Sequence, residues 1–231
     1  MEERKAVTVP AIAQTAIKVI TSPATFFREM PKGGGFSGPL AFMVLMGVIN
    51  GLVTAVLGVF EMTSNPIFST GMAIVSIVLY PFADLSPIPI MSTGMAVASI
   101  MLYPLAYAVF GFAGAGLVHA VWKVLGSHES YETAYRCVAY LAAFMPLTTL
   151  LLLVPYAGLL VSVVLLTYLY ALISMKVHGI EVKRAWVTFG LIGVVLFLMG
   201  LGADIRAQEY RKKTAELKKT LAHGPVEHRA L

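Results

Sequence analysis

The chain has 231 residues, and its composition excludes a water-soluble globular domain: 58% of the residues are hydrophobic and only 13% are charged, against about 25% charged in a typical soluble domain. The mean hydropathy of +0.81 agrees with this exclusion. The formal net charge of +5 does not indicate nucleic acid, because the basic residues lie where apolar segments end, a pattern that orients membrane proteins and attracts anionic lipid headgroups. We therefore expect membrane lipids, and no nucleic acid, as partners.

Long stretches without Asp, Glu, Lys or Arg predict the fold class. An uncharged apolar run of about 18 residues or more is a candidate for crossing a bilayer. The stretch at residues 137–175 is 39 residues long, which is enough for two spans. The other charge-free stretches cover residues 33–60, 62–83, 85–118 and 185–203. We predict an all-α, polytopic transmembrane helical bundle of five or six spans, which occupies residues 38–203.

Residues 1–37 form the predicted N-terminal interfacial segment. Between residues 10 and 30, apolar side chains are interleaved with polar and charged ones, which is typical of one or two amphipathic helices lying in the membrane interface. Ser22-Pro23 breaks the segment, since Pro suits the first turn of a new helix. We predict that Phe26, Phe27 and Arg28 contact the lipid interface. The alternative is an ordinary connector to the first span.

The first predicted span, residues 39–60, contains the sequence Gly47-Val48-Ile49-Asn50-Gly51. Glycines four residues apart allow two helix backbones to approach closely, and an Asn in hydrocarbon requires a hydrogen-bond partner. We predict that Gly47, Asn50 and Gly51 form a helix-packing site within the chain. Homodimerisation through the same face is the alternative.

A tandem repeat follows the first span. Residues 66–83 and 89–106 are identical at 13 of 18 aligned positions, at an offset of 23 residues. The second copy continues into a full-length span. The first copy has a shorter apolar run, about 24 Å of helix, against a hydrocarbon core of about 30 Å. Both copies contain a Tyr-Pro pair, so we predict helix kinks at Pro81 and Pro104.

Three further spans are predicted, over residues 137–153, 156–175 and 185–203. The first of them contains Pro146, where we predict a third kink. Arg136 directly precedes this span; we predict that its side chain extends to the lipid headgroups, and it can pair with Glu132 one turn earlier. Residues 204–231 form a basic tail with a helical stretch near residues 206–221, and we predict that Lys212 and Lys213 contact the lipid interface.

The number of spans depends on whether residues 66–83 cross the membrane. Cytoplasmic segments contain the excess of Lys and Arg. With six spans the two termini share a side, and the basic residues divide 12 to 5 between the two sides. With five spans the basic tail lies opposite the N-terminus, and the division is 10 to 7. Charge therefore favours six spans.

Several short motifs occur in a particular order between residues 21 and 202. They are Ser22-Pro23 with Phe26-Phe27, HAVWKVLG at residues 119–126, YETAYR at residues 131–136, Tyr140 and Pro146, VPYAG at residues 154–158, and His178-Gly179. In this order the chain resembles a prokaryotic member of the Ypt-interacting protein (YIP) family of multi-span membrane proteins. The resemblance implies five spans, a cytoplasmic N-terminus and no known catalysis.

Eukaryotic members of that family bind small GTPases and shape membranes in vesicle trafficking. No GTPase-contacting residue can be transferred to this sequence. The additional 23-residue unit also departs from the family plan, in which the second copy is the natural second span and the first copy is an insertion.

Few residues of the chain indicate chemistry. Cys137 is a lone cysteine at the start of an apolar run, and we interpret it as a small buried hydrophobic residue. Neither an HExxH motif nor a cysteine pair accompanies the histidines near the membrane, so we interpret His119, His128 and His178 as solvated loop residues rather than metal ligands. We predict no catalytic, cofactor-binding or metal site, and no enzyme activity.

Two functions remain as hypotheses. The first is a non-enzymatic membrane-organising scaffold or adaptor, or a subunit of a larger membrane complex, in the cytoplasmic (inner) membrane of a prokaryote. We expect a homo-oligomer or a membrane-protein partner. The alternative is a small-molecule or ion transporter or channel that uses the kinked helices. The scaffold is favoured because a transporter requires more polar groups at mid-membrane than this sequence contains.

Overall fold

The computed structural model describes residues 9–59, 93–154 and 156–222, and the regular structure in these ranges is helical. The helices are α1 (Val9–Thr21), α2 (Pro23–Glu29), α3 (Ser37–Val59), α4 (Thr93–Val124), α5 (Tyr131–Leu141), a 3₁₀ turn (Ala142–Phe144), α6 (Met145–Leu151), α7 (Ala157–Lys176) and α8 (Val182–Ala222). The first repeat copy, including Pro81, lies outside the described residues. Residues 93–106 of the second copy form the first part of α4.

Five helical segments in the described ranges are long and apolar enough to cross a membrane. They are Ser37–Leu57, Tyr103–Val124, Tyr131–Leu151, Ala157–Lys176 and Val182–Ala203. The third segment combines α5, the 3₁₀ turn and α6. The prediction of an all-α polytopic bundle is therefore confirmed.

The bundle consists of two antiparallel helix pairs with a central broken helix. α3 packs along α4, α7 packs along α8, and α5–α6 contacts members of both pairs. In the crossing segments of α5–α6, 61% of the residues are buried, against 22% in α4 and 17% in α8. The broken helix is thus the core of the bundle, and α4 and α8 present most of their surface outwards.

The N-terminal helices cover the central helix from one side. α1 contacts α5 and the 3₁₀ turn, and α2 contacts α7. Pro23 occupies the first turn of α2, as predicted from the Ser22-Pro23 break. Val19 of α1 and Phe27 of α2 are fully buried, whereas Ile17 and Ile20 of α1 are exposed. The amphipathic segment therefore has one apolar face against protein and a second apolar strip facing outwards.

The central helix begins earlier than its hydropathy suggested. We predicted a span from residue 137, but α5 begins at Tyr131. Ser130 caps it, because its side chain accepts a hydrogen bond from the backbone N–H of Thr133. Thr133 and Arg136 are buried, so the polar first turns of this helix are covered by other parts of the chain.

The last helix is continuous from the bundle into the tail. We predicted a span ending at residue 203 and a separate helical stretch after it, but α8 contains 41 residues without a break. At about 1.5 Å per residue this helix is about 60 Å long, roughly twice the hydrocarbon thickness of a bilayer. Its C-terminal half, with the exposed Lys212 and Lys213, therefore extends beyond the bundle.

Three connecting segments meet at one end of the bundle, which we call the near end. They are the linker at residues 31–36, the α4–α5 turn at residues 125–130 and the α7–α8 turn at residues 177–181. The Lys32 ammonium lies 2.6 Å from the Glu129 carboxylate and donates to the Val177 carbonyl at 3.2 Å. One lysine thus contacts the other two segments, so all three lie on the same side of the membrane.

This arrangement does not match the sides that six spans imply. With six spans, the α4–α5 turn lies on the opposite side from the linker, away from Lys32. The contacts match the side assignment of the five-span count, in which the basic residues divide 10 to 7 and the tail lies at the far end. Residues 66–83, on which the count depends, lie outside the described residues, so the number of spans stays a prediction.

Candidate functional site

The near-end junction is the largest polar cluster that joins separate elements of the described chain. We define it as the three segments above together with the first turns of α5. Besides the Lys32 contacts, the Thr133 hydroxyl donates to the Lys32 carbonyl at 3.0 Å. Lys32 is therefore held through both its side chain and its backbone. The linker therefore follows a defined path across the bundle.

Arg136 holds the second half of the linker in place. Its guanidinium donates to the Gly35 carbonyl at 3.0 Å and lies 3.4 Å from the Glu132 carboxylate. The Gly35 N–H donates to the same Glu132 oxygen at 2.7 Å. Gly34 and Gly35 have φ angles of +118° and +84°, which residues with a Cβ rarely adopt. The glycines thus allow the backbone to fold onto the Arg136–Glu132 pair.

The predicted role of Arg136 at the headgroups requires correction. Pairing with Glu132 is observed, but only 9% of the Arg136 side chain is exposed. The side chain points into the junction because the linker carbonyl offers it an acceptor there. Arg136 therefore connects the linker to the central helix and does not extend to lipid.

A second part of the junction surrounds His178. A hydrogen bond of 2.8 Å joins His178 Nδ1 to the Ser127 hydroxyl, and the Trp122 ring stacks on the imidazole at 3.9 Å between centroids. The Trp122 indole N–H donates to the Ser174 hydroxyl at 2.8 Å. These contacts attach the α7–α8 turn to the end of α4.

Burial determines the charge of His178, which is only 8% exposed. Desolvation lowers its pKa to about 4, and the positive charges of Lys32 and Lys123 act in the same direction, while Glu129 opposes them. The imidazole is therefore neutral near pH 7. This corrects the interpretation of His178 as a solvated loop residue. His128 is exposed, and His119 contacts the Tyr131 ring edge-on.

The Ser127–His178 pair is buried within the junction. The Ser127 hydroxyl also accepts the backbone N–H of Glu129 at 3.2 Å. His178 Nε2 is buried and has no hydrogen-bond partner in the ranges that the structure describes. Among the described residues, no group of three His, Cys, Asp or Glu side chains is placed to hold a metal ion.

A smaller polar cluster lies between α3, α4 and α6. The Asn50 side-chain amide donates to the Tyr107 hydroxyl at 3.0 Å, and the Thr149 hydroxyl donates to the Asn50 side-chain oxygen at 2.8 Å. Asn50 is fully buried. Its amide and carbonyl groups are thus both paired inside the bundle, as an Asn in hydrocarbon requires.

The predicted packing and kink residues occupy contact points of the same helices. A Cβ on Gly47 would lie 2.8 Å from the Pro104 Cα, so α3 and α4 approach closely there. Gly51 lies one turn further along α3. Pro104 lies inside α4, and Pro146 occupies the first turn of α6, directly after the 3₁₀ turn. The central helix is therefore interrupted beside Pro146 rather than merely bent.

The structure exposes some of the predicted lipid-interface residues and buries others. Arg28 is exposed, and so are Lys212 and Lys213 on α8. Phe27 is only 1% exposed and packs in the core, which corrects its placement at the lipid interface. Phe26 is half-buried and meets the Tyr140 ring edge-on at 5.0 Å. The two phenylalanines attach α2 to the bundle because α5 offers an aromatic surface.

Sequence reasoning missed Lys32, Glu129, Thr133 and Ser127 as members of one site. The sequence does contain a pattern that indicates this site. Polar residues interrupt three of its apolar stretches, at positions that a five-span chain places on one side of the membrane. The buried Cys137 was predicted correctly.

The motifs that suggested a family resemblance converge at the near-end junction. The YETAYR segment supplies Glu132, Thr133 and Arg136, the HAVWKVLG segment supplies Trp122, and His178 joins them. A scan of protein families found a match between residues 17–203 and the family model described as Yip1 domain. No curated protein and no solved structure matches the chain. Because the match covers most of the sequence and all five described spans, the chain belongs to the Yip1 domain family of integral membrane proteins.

Proposed function

We propose that this protein is a non-enzymatic scaffold or adaptor that organises membrane, or a subunit of a larger membrane complex, in the cytoplasmic membrane of a prokaryote. The main support is that polar groups inside the described bundle bind one another. Asn50 is satisfied by Tyr107 and Thr149, and His178 is covered by Trp122 and Ser127. Such pairing stabilises a fixed arrangement of helices, which is what a scaffold requires.

The outward faces of α4 and α8 supply the surface for this role. Met101 and Leu105 of α4 are 81% and 62% exposed, and Leu191 and Val187 of α8 are 65% and 62% exposed. In a membrane such faces contact lipid tails or other transmembrane helices, where close packing drives association. The proposal assigns these two faces to lipid and to a homo-oligomeric or membrane-protein partner.

We place the near end in the cytoplasm. That end contains 10 of the 17 Lys and Arg residues when residues 1–30 and the adjoining ends of α4, α7 and α8 are counted with it, and the far end has the other seven, all in the tail. Cytoplasmic segments usually contain the excess.

Transport is the second candidate, and the break in the central helix favours it. α5 ends in a 3₁₀ turn before Pro146, and interrupted helices commonly form substrate sites in transporters. The hydroxyls of Thr54 and Ser162 are buried and have no hydrogen-bond partner within the described parts of the chain. These groups offer polar sites inside the bundle that a substrate or ion would require.

One experiment separates the two candidates. The full chain is purified in mild detergent, its mass is measured by light scattering, and it is then placed in liposomes loaded with ion-sensitive dyes. The scaffold proposal expects a discrete oligomer or a stoichiometric co-purifying protein, with no flux above empty liposomes. A monodisperse monomer with substrate-dependent flux contradicts it and supports transport.

A further inference from the structure

An open groove runs between the C-terminal end of α4 and the N-terminal end of α8, on the outer surface of the near end. Its walls are Val121 and Val124 from α4, Leu125 from the α4–α5 turn, and Val187 and Thr188 from α8. Val124 is 88% exposed, although it lies in a segment apolar enough to cross the membrane. The groove is therefore an apolar recess that the described protein leaves uncovered.

Basic side chains stand at the mouth of this groove. Lys183 and Arg184 line it on α8. Glu181 is the acidic residue at the same rim, and its carboxylate lies 3.3 Å from the Arg184 guanidinium. Two positive charges and one negative charge give the mouth a net charge of +1.

The order of charged and apolar residues follows the depth of a bilayer. Lys183 and Val187 are four residues apart on α8, as are Arg184 and Thr188, so each basic residue stands one turn above a wall residue. One turn of helix advances about 5.4 Å. A phospholipid has the same order, with a phosphate at the surface and acyl chains about one turn below.

We propose that this groove binds one anionic phospholipid, with its phosphate beside Lys183 and Arg184 and an acyl chain along Val121, Val124 and Val187. Any exposed apolar helix face contacts lipid tails, but this one is concave, formed by two helices and topped by clustered cations. Charge complementarity therefore selects an anionic headgroup, and the recess between α4 and α8 holds the chain. The Arg184 guanidinium exchanges part of its contact with Glu181 for the phosphate.

The site contains its own reporter. The chain has two tryptophans: the half-exposed Trp186 is adjacent to the wall residue Val187, whereas Trp122 is fully buried and contributes a constant background. Brominated acyl chains quench tryptophan fluorescence by contact. The full-length protein is placed in phosphatidylcholine vesicles containing increasing fractions of brominated phosphatidylglycerol or, separately, brominated phosphatidylcholine. The ratio of the two quenching curves gives the preference for the anionic lipid.

We expect the wild-type protein to prefer phosphatidylglycerol about 5-fold, since one net charge contributes about 1 kcal/mol. The double variant K183Q/R184Q should lose this preference. The matched control K123Q/K176Q removes the same charge from exposed positions that do not line the groove and should keep the preference. An unchanged preference in K183Q/R184Q, or an equal loss in K123Q/K176Q, overturns the proposal.

Two further measurements test the acyl-chain part. Val187→Phe fills the groove without changing charge and should reduce quenching by phosphatidylglycerol; full quenching at the wild-type lipid fraction contradicts an acyl chain in the groove. Soluble glycerol phosphate at millimolar concentration should leave the lipid in place. Displacement by this compound shows that the mouth binds a free phosphate group, which overturns the lipid assignment.

Discussion

The close contact between α3 and α4 at Gly47 can be tested by adding one methyl group. In Gly47→Ala the new Cβ would lie 2.8 Å from the Pro104 Cα and 3.1 Å from the Pro104 nitrogen. These are backbone atoms inside α4, so no side chain can rotate away. Ordinary contact begins near 3.4 Å, and α3 and α4 must separate by about 0.6 Å.

The expected net effect is a loss of about 1–2 kcal/mol in the free energy of unfolding. Overpacking of a well-packed interior costs about 1–3 kcal/mol, and the better helix propensity of Ala returns up to about 1 kcal/mol. For a chain of this size, such a loss lowers the midpoint of thermal unfolding by about 3–6 °C. Tryptophan fluorescence in mild detergent measures the midpoint.

Gly114→Ala is the matched control. It makes the same chemical change inside α4, but its Cβ would meet nothing within 4 Å. We expect an unchanged or slightly higher midpoint. A Gly47→Ala protein that melts at or above the wild-type temperature, or an equal loss in Gly114→Ala, refutes the reasoning.

Three further predictions concern the two polar clusters. Lys32→Glu should destabilise the protein. The charge-swapped double variant, Lys32→Glu with Glu129→Lys, should recover about 1 kcal/mol of the free energy of unfolding, which is the upper range for a partly exposed ion pair. A double-mutant cycle that shows no coupling energy between the two positions contradicts this contact. Burial holds the pKa of His178 near 4, below the 6.5 of an exposed imidazole. The contribution of neutral His178 to the stability of the folded protein is therefore complete above pH 6.5 and is lost as the pH falls towards 4. His178→Asn should flatten the stability-against-pH curve in that window, and identical curves for both proteins would refute the burial. Asn50→Leu should cost about 1–2 kcal/mol by leaving the Thr149 hydroxyl without its acceptor, and adding Thr149→Val should recover part of the loss in a detergent unfolding titration; no recovery contradicts the pairing.

The sequence alone predicted the fold class because a segment that crosses a bilayer must be a long, apolar run with few or no charged residues. The charge-free stretches became helices whose ends differ from the predicted ends by a few residues in α3 and α7. The prediction failed at the start of α5, where polar residues enter the bundle. Hydropathy cannot identify such residues, since it does not indicate that a linker will cover Thr133 and Arg136.

The near-end junction could not be predicted, because its contacts join distant positions. Lys32 and Glu129 are 97 residues apart, and Lys32 and Val177 are 145 apart. For Phe27, the amphipathic pattern identified an apolar face correctly but could not show whether lipid or protein covers it. Gly47 and Asn50 were predictable as packing residues because small and polar side chains inside a span have few other uses.

The common side of the linker and the α4–α5 turn is the central claim, and cysteine labelling tests it most directly. Arg28→Cys, His128→Cys and Lys213→Cys replace exposed residues, and the native Cys137 is buried, so it serves as an unlabelled background. A membrane-impermeant maleimide is applied to sealed vesicles and to opened ones. The structure predicts that Arg28→Cys and His128→Cys react from the same face and Lys213→Cys from the opposite face. Labelling of Arg28→Cys and Lys213→Cys from one face, with His128→Cys on the other, would contradict the account.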